Sequence, residues 1–600
     1  LQLAAPAARL LVHGFVPAAT LRQAGVTDAY LAGLADPRAS LAPALASALL
    51  GVVAVVVAVQ RAARADVLAF RRDQGRAGRQ PLWRRLYLDV ALAVVCLLGY
   101  FDLATFGGLD VRQQLGASGG GGSPLLLIAP ALLLVAGALL LLRVFPVAVA
   151  AVGRFATRRR GALGMLALAQ ITRAPRGPSR LAALLALALG MGLFALTVDG
   201  SLIQNAGSRA AYQAGADVRL LQSGEEPGPV DRRLRAALAA LPGVRGVTPV
   251  YRANINVNGS ADVGTLTANL LGVDPATWET DAGAIAWRAD YADAPLADLM
   301  RAMRQRAWRA DALGGGQVGD PRHPVWALVN QTLADALHLR VGQRFPIYFG
   351  DAQTTPANAI VGAIIQQFPT LYPAQSQAGY LVVSLSDATA AYLTTTQSDP
   401  STIGPTEYWL RTDDNPAHLR ALRGALANDA TALDFVRLLD RRQIEQAIAT
   451  NPIQVGMRGL LLLGAAVAAA LALLGSVIQS ALAARQRAVR FAVLRTLGMA
   501  RRQLTRLLLV EQLVIYAFGL LAGTLLGAVL ALATLRFLQF GDTALDPATL
   551  GVPSYVLAID PLKIALFYGV LLLSVALALA AAAFYANTVG LGKALRLGED

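Results

Sequence analysis

The sequence predicts a multi-pass α-helical membrane protein that carries one extracytoplasmic α+β domain. Three observations favour this class: the chain of 600 residues is 55% hydrophobic, only 15% of its residues are charged, and long apolar runs alternate with arginine-rich segments. A soluble globular protein carries about 25% charged residues. The composition therefore excludes a purely soluble enzyme, a disordered chain and a fibrous protein.

Apolar runs long enough to cross a bilayer recur along the chain. The hydrocarbon core, about 30 Å thick, needs about 20 apolar residues in a helix, because every backbone polar group in lipid must bond within its own segment. Seven runs meet this length, near residues 41–60, 86–106, 124–142, 181–203, 455–480, 507–536 and 561–586. The stretch 204–453 contains no such run, which predicts a folded domain between two spans.

The placement of arginine predicts the orientation of the spans. The arginine-rich segments are 61–85, 143–180 and 485–506. The segments 107–123 and 537–560 contain one basic residue in total, Arg112. Because cytoplasmic loops carry an excess of Lys and Arg, this pattern puts 204–453 outside and the C-terminus in the cytoplasm. The net charge of +15 then reflects membrane topology, and we predict no nucleic-acid partner.

The domain 204–453 contains signals of both strands and helices, which predicts an α+β fold. A helix is predicted before Pro242-Gly243, where a stop signal ends the leucine periodicity. Further predicted elements are strands at 254–257, 325–329, 344–349 and 359–365, a helix at 331–338 and a helix-rich end at 416–450.

No catalytic or metal-binding motif is found in this domain. His323, His338 and His418 are scattered, and neither H-E-x-x-H nor G-x-S-x-G occurs. The carboxylate pair Asp413-Asp414 precedes Asn415-Pro416 and predicts a turn with a helix cap. We therefore predict no catalytic residue, no metal and no cofactor in this chain, and a domain that binds a partner or transmits force.

The small residues in the spans suggest close helix packing, and the scarcity of charged residues inside the spans argues against ion transport. Gly519, Gly523 and Gly527 form two overlapping G-x-x-x-G patterns, which allow two helices to approach closely in lipid. Chance occurrence in an Ala- and Gly-rich chain is the alternative interpretation. Acidic residues such as Asp89 and Asp199 lie near span ends. Because the interiors of the spans contain almost no ionisable residues, the sequence argues against a proton- or sodium-driven carrier.

The segment 485–506 is the most informative part of the sequence. It reads RQRAVRFAVLRTLGMARRQLTR and is predicted to be helical up to Gly498. Its apolar residues lie on two sides of that helix, which suits a position between the membrane and a protein partner. A basic helix resting on anionic lipid is the alternative.

Continued as LLLVEQ, this segment resembles the signature loop of FtsX-like permeases, the membrane subunits of MacB/LolC-type ABC transporters. The family often has Glu where this sequence has Arg490, so a salt bridge of that Glu does not carry over. The resemblance implies contact with an ATPase through Arg485, Arg487, Arg490, Val493, Leu494, Arg495, Leu497, Gly498, Arg501, Arg502, Gln503 and Glu511.

The resemblance also implies an organisation for the whole chain. The stretches ALVNQTLADALHLRVGQRFPI and IVGAIIQQFP resemble the MacB-like periplasmic core domain. Residues 41–142 resemble the end of a preceding permease unit, so we expect a long two-unit member with a missing upstream part. The implied parts are an extracytoplasmic remnant at 1–40, a last span plus two linking spans at 41–142, a cytoplasmic basic linker at 143–180, a first span at 181–203, the outer domain at 204–453 and an FtsX-like permease domain with three spans at 454–600.

The function that the resemblance implies is that of a transporter permease subunit in the plasma membrane. The chain lacks the phosphate-binding motif G-x-x-x-x-G-K-[ST], so a separate cytoplasmic ATPase dimer would bind ATP and Mg²⁺. Membrane lipids and an extracytoplasmic accessory or substrate protein are the other implied partners. The implied reaction is export or extraction of a lipid, lipoprotein, peptide or drug-like substrate. A membrane sensor or scaffold and a membrane-embedded enzyme are the alternatives.

Overall fold

The structure is a computed structural model. It describes residues 87–105, 124–156, 162–173, 176–222, 232–258, 264–279, 287–307, 323–349, 355–397, 404–428, 435–450, 455, 458–459, 461–470, 472–476, 499–538 and 553–588. The predicted span 41–60 and most of the segment 485–506 lie outside these residues.

The chain divides into two compact units. The helical unit comprises Leu1–Leu202, Thr450–Gly541 and Val556–Asp600, and the sheet unit comprises Ile203–Ala449 and Asp542–Tyr555. The described helices are α1 (Leu88–Thr105), α2 (Pro124–Ala156), α3 (Ala162–Arg173), α4 (Arg176–Ala214), α5 (Arg232–Ala239), α6 (Pro275–Glu279), α7 (Leu296–Arg306), α8 (Gln331–Ala336), α9 (Leu385–Thr396), α10 (Pro416–Asn428), α11 (Arg441–Ala449), α12 (Leu461–Ser476), α13 (Arg501–Leu538) and α14 (Pro561–Thr588).

Helices of membrane-spanning length are found where four of the seven spans are predicted. The apolar stretches are Leu132–Arg154 in α2, Gly177–Ala214 in α4, Arg502–Ala533 in α13 and Pro561–Ala580 in α14. Two other predicted spans correspond to shorter apolar helices, Asp89–Leu98 and Leu461–Ser476. The described residues thus support four candidate spans.

The span predicted at 124–142 extends further than its sequence suggests. The sequence places the apolar run near 124–142, but α2 continues to Ala156. The Arg143 Nη1 donates to Asp89 Oδ2 on α1 at 3.1 Å, and its guanidinium lies 4.3 Å from the centre of the Tyr87 ring. Because Asp89 is fully buried, the ion pair compensates its charge and joins α1 to α2.

The helix α13 begins before the predicted start of its span at residue 507. The backbone N–H of Ala500 donates to Gln503 Oε1 at 3.1 Å. This is the return bond of a capping box, in which the residue at the third helical position satisfies the N–H of the capping residue. Arg501, Arg502 and Gln503 therefore belong to α13, although the sequence groups them with the segment 485–506.

The sheet unit is an α+β fold built on nine strands. The strands are β1 (Val218–Gln222), β2 (Val244–Asn258), β3 (Thr265–Val273), β4 (Val325–Asn330), β5 (Arg344–Phe349), β6 (Ala357–Ile365), β7 (Tyr380–Ser384), β8 (Glu407–Thr412) and β9 (Phe435–Asp440). Their order is β3-β7-β4-β6-β5-β2-β8-β1-β9, and β3 also pairs with β2. Six strands therefore form a closed circuit of pairings, and β8, β1 and β9 extend from the first half of β2.

The four predicted strands are confirmed, and the helix-rich end predicted at 416–450 contains the helices α10 and α11. The strand β9 between these helices was not predicted. Its pairing with β1 is a long-range interaction that local helix signals cannot indicate. β4 explains why the apolar run 325–329 is readable from sequence: Val325, Ala327 and Val329 face one hydrophobic cluster, while Trp326 and Leu328 face another. A strand buried on both faces reads as a continuous apolar run.

An ion network joins three neighbouring strands inside the sheet unit. Glu407 begins β8 and is 2% exposed. Its carboxylate accepts from Arg219 on β1 at 2.6 Å and from Arg252 on β2 at 2.7 Å. The indole Nε1 of Trp409 also donates to it, at 2.8 Å. Burial opposes ionisation of Glu407, but the charges of Arg252 and Arg219 prevail and lower its pKa to about 2.

We expect Glu407→Gln to destabilise the sheet unit by about 3 kcal/mol, because it leaves two arginines without their buried counter-charge. The measurement is the urea concentration at which the sheet unit of the full chain in detergent becomes sensitive to a protease. Asp298→Asn is the matched control, since its pair with Arg301 is exposed and should change stability by no more than about 0.5 kcal/mol. Equal midpoints for the two variants would contradict the network's role.

The same network predicts an acid-sensitive stability. The pKa of Glu407 is lower in the folded chain than its ordinary value of 4.5, so its contribution is complete above that value and is lost as pH falls from about 4.5 towards 2. We expect the wild-type urea midpoint to fall more steeply over this range than that of Glu407→Gln. If the urea midpoints of the two proteins fell equally with pH, another carboxylate would control the loss of stability in acid.

Candidate functional site

Only part of the predicted coupling segment is described. Arg501, Arg502, Gln503 and Glu511 lie on α13. Arg502 and Gln503 are exposed, whereas Glu511 is 1% exposed and lies inside the helical unit. The predicted residues outside the described ranges are Arg485, Arg487, Arg490, Val493, Leu494, Arg495, Leu497 and Gly498.

The beginning of α13 is basic on its exposed side and apolar on its buried side. Arg502 and Arg506 are exposed, and Leu504, Leu507 and Leu508 are buried. Positive charge at a helix N-terminus opposes the helix dipole. These arginines therefore do not stabilise α13, and their exposed side is available to an anionic surface.

The three glycines of the predicted packing motif lie against α4. A Cβ on Gly519 would lie 3.0 Å from the Leu185 Cβ. On Gly523 it would lie 2.9 Å from the Cα of Ala186, and on Gly527 it would lie 2.9 Å from the carbonyl oxygen of Gly190. Such distances are below normal carbon contacts. The backbones of α13 and α4 thus meet directly along a seam, which we call the glycine seam.

A charged cluster that the sequence analysis did not predict joins three parts of the helical unit. Asp199 on α4 is 1% exposed. Its Oδ1 accepts from Arg458 Nε at 2.7 Å, shortly before α12, and its Oδ2 accepts from Lys563 Nζ at 2.9 Å, in the first turn of α14. Lys563 also lies 3.6 Å from Asp560. The sequence shows that these charged residues lie beside three apolar runs. It does not show that they are close to one another in the fold.

Next to this cluster, α4 is bonded to the chain that leads into α14. The backbone N–H of Ala558 donates to Ser201 Oγ at 3.0 Å. A Cβ on Gly200 would lie 3.1 Å from the Ala558 carbonyl oxygen. Asp560 caps α14 by accepting from the N–H of Leu562 at 3.1 Å. This corner of the helical unit therefore has fixed, directional contacts.

Within the sheet unit, three chain segments meet around a group of tyrosines. The end of α4 is held by Tyr212, whose hydroxyl donates to the Leu371 carbonyl at 2.5 Å. Arg209 donates to the Tyr555 hydroxyl at 3.0 Å, and Ser554 Oγ donates to Asp290 at 2.7 Å. Although burial opposes its ionisation, hydrogen bonds from Arg288 and Ser554 lower the pKa of Asp290. The segment 553–555 is therefore anchored in this unit.

The acidic turn in the sheet unit has a structural role. Asp413 Oδ1 accepts from the N–H of Asn415, and Asn415 Oδ1 accepts from the N–H of Ala417, so Asn415 caps α10. Asp414 binds Arg442 at 2.5 Å. Within the ranges described above, no three His, Cys, Asp or Glu side chains come together as a metal site.

The glycine seam predicts a selective sensitivity to added methyl groups. We expect Gly523→Ala to destabilise the helical unit by about 1–3 kcal/mol, because the Cβ would overlap the backbone of Ala186. Gly569 on α14 has no neighbour within 4 Å at its Cβ position, so Gly569→Ala is the matched control and should be neutral or slightly stabilising. The measurement is the thermal aggregation midpoint in detergent. Equal midpoints would mean that the seam is loose.

Comparison with known proteins gave one family match and similarities to solved structures. Residues 462–590 match the model of the FtsX-like permease C-terminal family. No curated protein gives a significant match. The periplasmic region of MacB from Actinobacillus actinomycetemcomitans is similar over 40% of this chain and 95% of that one, at 14% identity and a TM-score of 0.23. The extracellular domain of the noncanonic ABC-type transporter YknZ from Gram-positive bacteria is similar over 37% and 97%, at 11% identity and a TM-score of 0.22.

The family match covers the part of the helical unit that contains most of α12, the segment 485–506, α13 and α14. It therefore includes the predicted coupling segment and the glycines of the seam. Residues 462–590 are thus similar to the C-terminal domain of FtsX-like permeases.

Proposed function

We propose that this protein is the permease subunit of an ABC transporter, in which a separate cytoplasmic ATPase drives movement of the sheet unit. The observation that carries the proposal is the match of residues 462–590 to the FtsX-like permease C-terminal family. In this proposal the protein lies in the plasma membrane, the sheet unit is extracytoplasmic and the C-terminus is cytoplasmic. ATP and Mg²⁺ are bound by the ATPase dimer.

The contact with the ATPase is assigned to the segment 485–506. Its exposed end at Arg502 and Arg506 carries positive charge where the helix dipole disfavours it, which supports a role in binding a partner. Closure of the ATPase dimer would tilt α12 and α13, which flank the segment.

The glycine seam supports a route for this movement. Direct backbone contact between α13 and α4 provides van der Waals contacts that separation of the two helices would lose, so α4 would follow α13. Because α4 is one continuous helix from Arg176 to Ala214, its displacement would reach Arg209 and Tyr212, which bind within the sheet unit. Export or extraction of a lipid, lipoprotein, peptide or drug-like molecule is the proposed use of that movement.

The first test is co-purification of the protein with its cytoplasmic partners, followed by an assay of ATP hydrolysis. We expect an ATPase to bind the wild type and to be lost from Arg495→Glu/Gly498→Pro, because the charge is reversed and the helix end is altered. The matched control is Arg420→Glu on α10, an exposed arginine of the sheet unit, which should keep the ATPase.

The opposite result has a definite meaning. If the wild type is well expressed and no ATPase accompanies it, the proposal is wrong and a membrane sensor or scaffold with an extracytoplasmic binding domain is favoured. If the double variant keeps the ATPase, the partner contacts another part of the chain.

A further inference from the structure

The carboxylate of Asp199 is bound by two cations that come from different helices. Arg458 lies beside the beginning of α12, and Lys563 lies in the first turn of α14. The two cationic side chains are 28% and 39% exposed, whereas Asp199 is 1% exposed. The carboxylate is therefore buried, whereas the two cationic side chains are partly accessible to solvent.

Two cations bind one carboxylate here, although one cation would be enough for a permanent ion pair. We call this the redundancy of the two cations. A buried carboxylate without a counter-charge is strongly destabilising, whereas one cation is enough to neutralise it. Asp89 shows the simpler solution, because Arg143 is its one cationic partner among the described residues. At Asp199, either cation can leave and the carboxylate is still paired.

The contacts around Asp199 differ on its two sides. On the α14 side, the N–H of Ala558 donates to Ser201, and the backbone of Ala558 lies close to Gly200. Apolar contacts are present on both sides, because Leu461 on the α12 side and Leu557 on the α14 side pack against the cluster that contains Phe194, Val198 and Leu202. The hydrogen bond of Ala558 is an additional, directional contact on the α14 side, whereas apolar contacts are non-directional. Among the described residues, the α14 side is therefore the more firmly held.

We propose that Asp199 is a positioning residue for coupling, which stays paired with Lys563 while Arg458 separates from it when α12 moves. The coupling part of this inference rests on the proposed function, but the redundancy of the two cations does not. Asp199 would thus hold α4 and α14 together as a fixed pair and allow α12 to change its place against them.

The redundancy is tested by the stability of the full chain in detergent, measured as the thermal aggregation midpoint. We expect Arg458→Met and Lys563→Met each to fold with a small decrease, and their combination to lose most of the folded protein. Adding Asp199→Asn to that combination should restore folding, because no buried charge is then unpaired. Arg143→Met, which removes the described cation of Asp89, should behave like the combination and be rescued by Asp89→Asn.

Two results would overturn the redundancy. One is a combination of Arg458→Met and Lys563→Met that is as stable as either single variant. The other is a triple variant that remains unfolded, since the cations would then act through packing and not through charge.

The movement is tested by cross-linking in the complex with its ATPase, in a Cys96→Ser background that removes the chain's single cysteine. Cysteines replace Val198 and Leu461 to join α4 to α12, or Leu202 and Leu557 to join α4 to the chain before α14. A short reversible thiol cross-linker should abolish ATP hydrolysis in the first pair, and reductant should restore it. The second pair should retain hydrolysis.

Hydrolysis that survives the first cross-link, or is lost with the second, would overturn the proposed movement. If no ATPase accompanies the wild type, the proposed function fails instead. The stability series with Asp199→Asn still decides the redundancy in that case, so the two failures are distinguishable.

Discussion

The pairing of buried carboxylates with cations from distant parts of the sequence constrains both units of this protein. Asp89 binds Arg143 across α1 and α2, Asp199 binds cations beside α12 and α14, and Glu407 binds arginines of two neighbouring strands. Each acid is nearly inaccessible to water. Because an unpaired charge in such a place is strongly destabilising, these elements can pack only in arrangements that bring the partners together.

Close packing of helices is a second constraint on the helical unit, in addition to the ion pairs. The glycine seam brings the backbones of α13 and α4 into contact through residues without side chains, so shape decides the fit at the seam. Around Asp199 the contacts are charged and directional. The helical unit therefore combines one interface that resists separation with another in which a contact can be exchanged, and both belong to α4.

The parts of the structure that local signals control could be predicted from the sequence. The apolar runs of α4, α13 and α14 and the strands β4, β5 and β6 follow from hydropathy, strand length and turn signals. The strand β9 was hidden between two helices because its stability comes from pairing with β1. The ion pair of Arg143 with Asp89 joins residues that are 54 positions apart, so local signals could not indicate it. Charges beside apolar runs were visible, but only the fold brings Asp199, Arg458 and Lys563 together.

The sequence separations at Asp199 also have a consequence for the synthesis of the chain. Arg458 follows Asp199 by 259 residues, and Lys563 follows it by 364. At a synthesis rate of about 5–20 residues per second, the acid is made tens of seconds before either cation. Throughout that interval neither of the two cations that pair with Asp199 in the complete chain has been made. A chain that stops before Arg458 therefore lacks both of these partners.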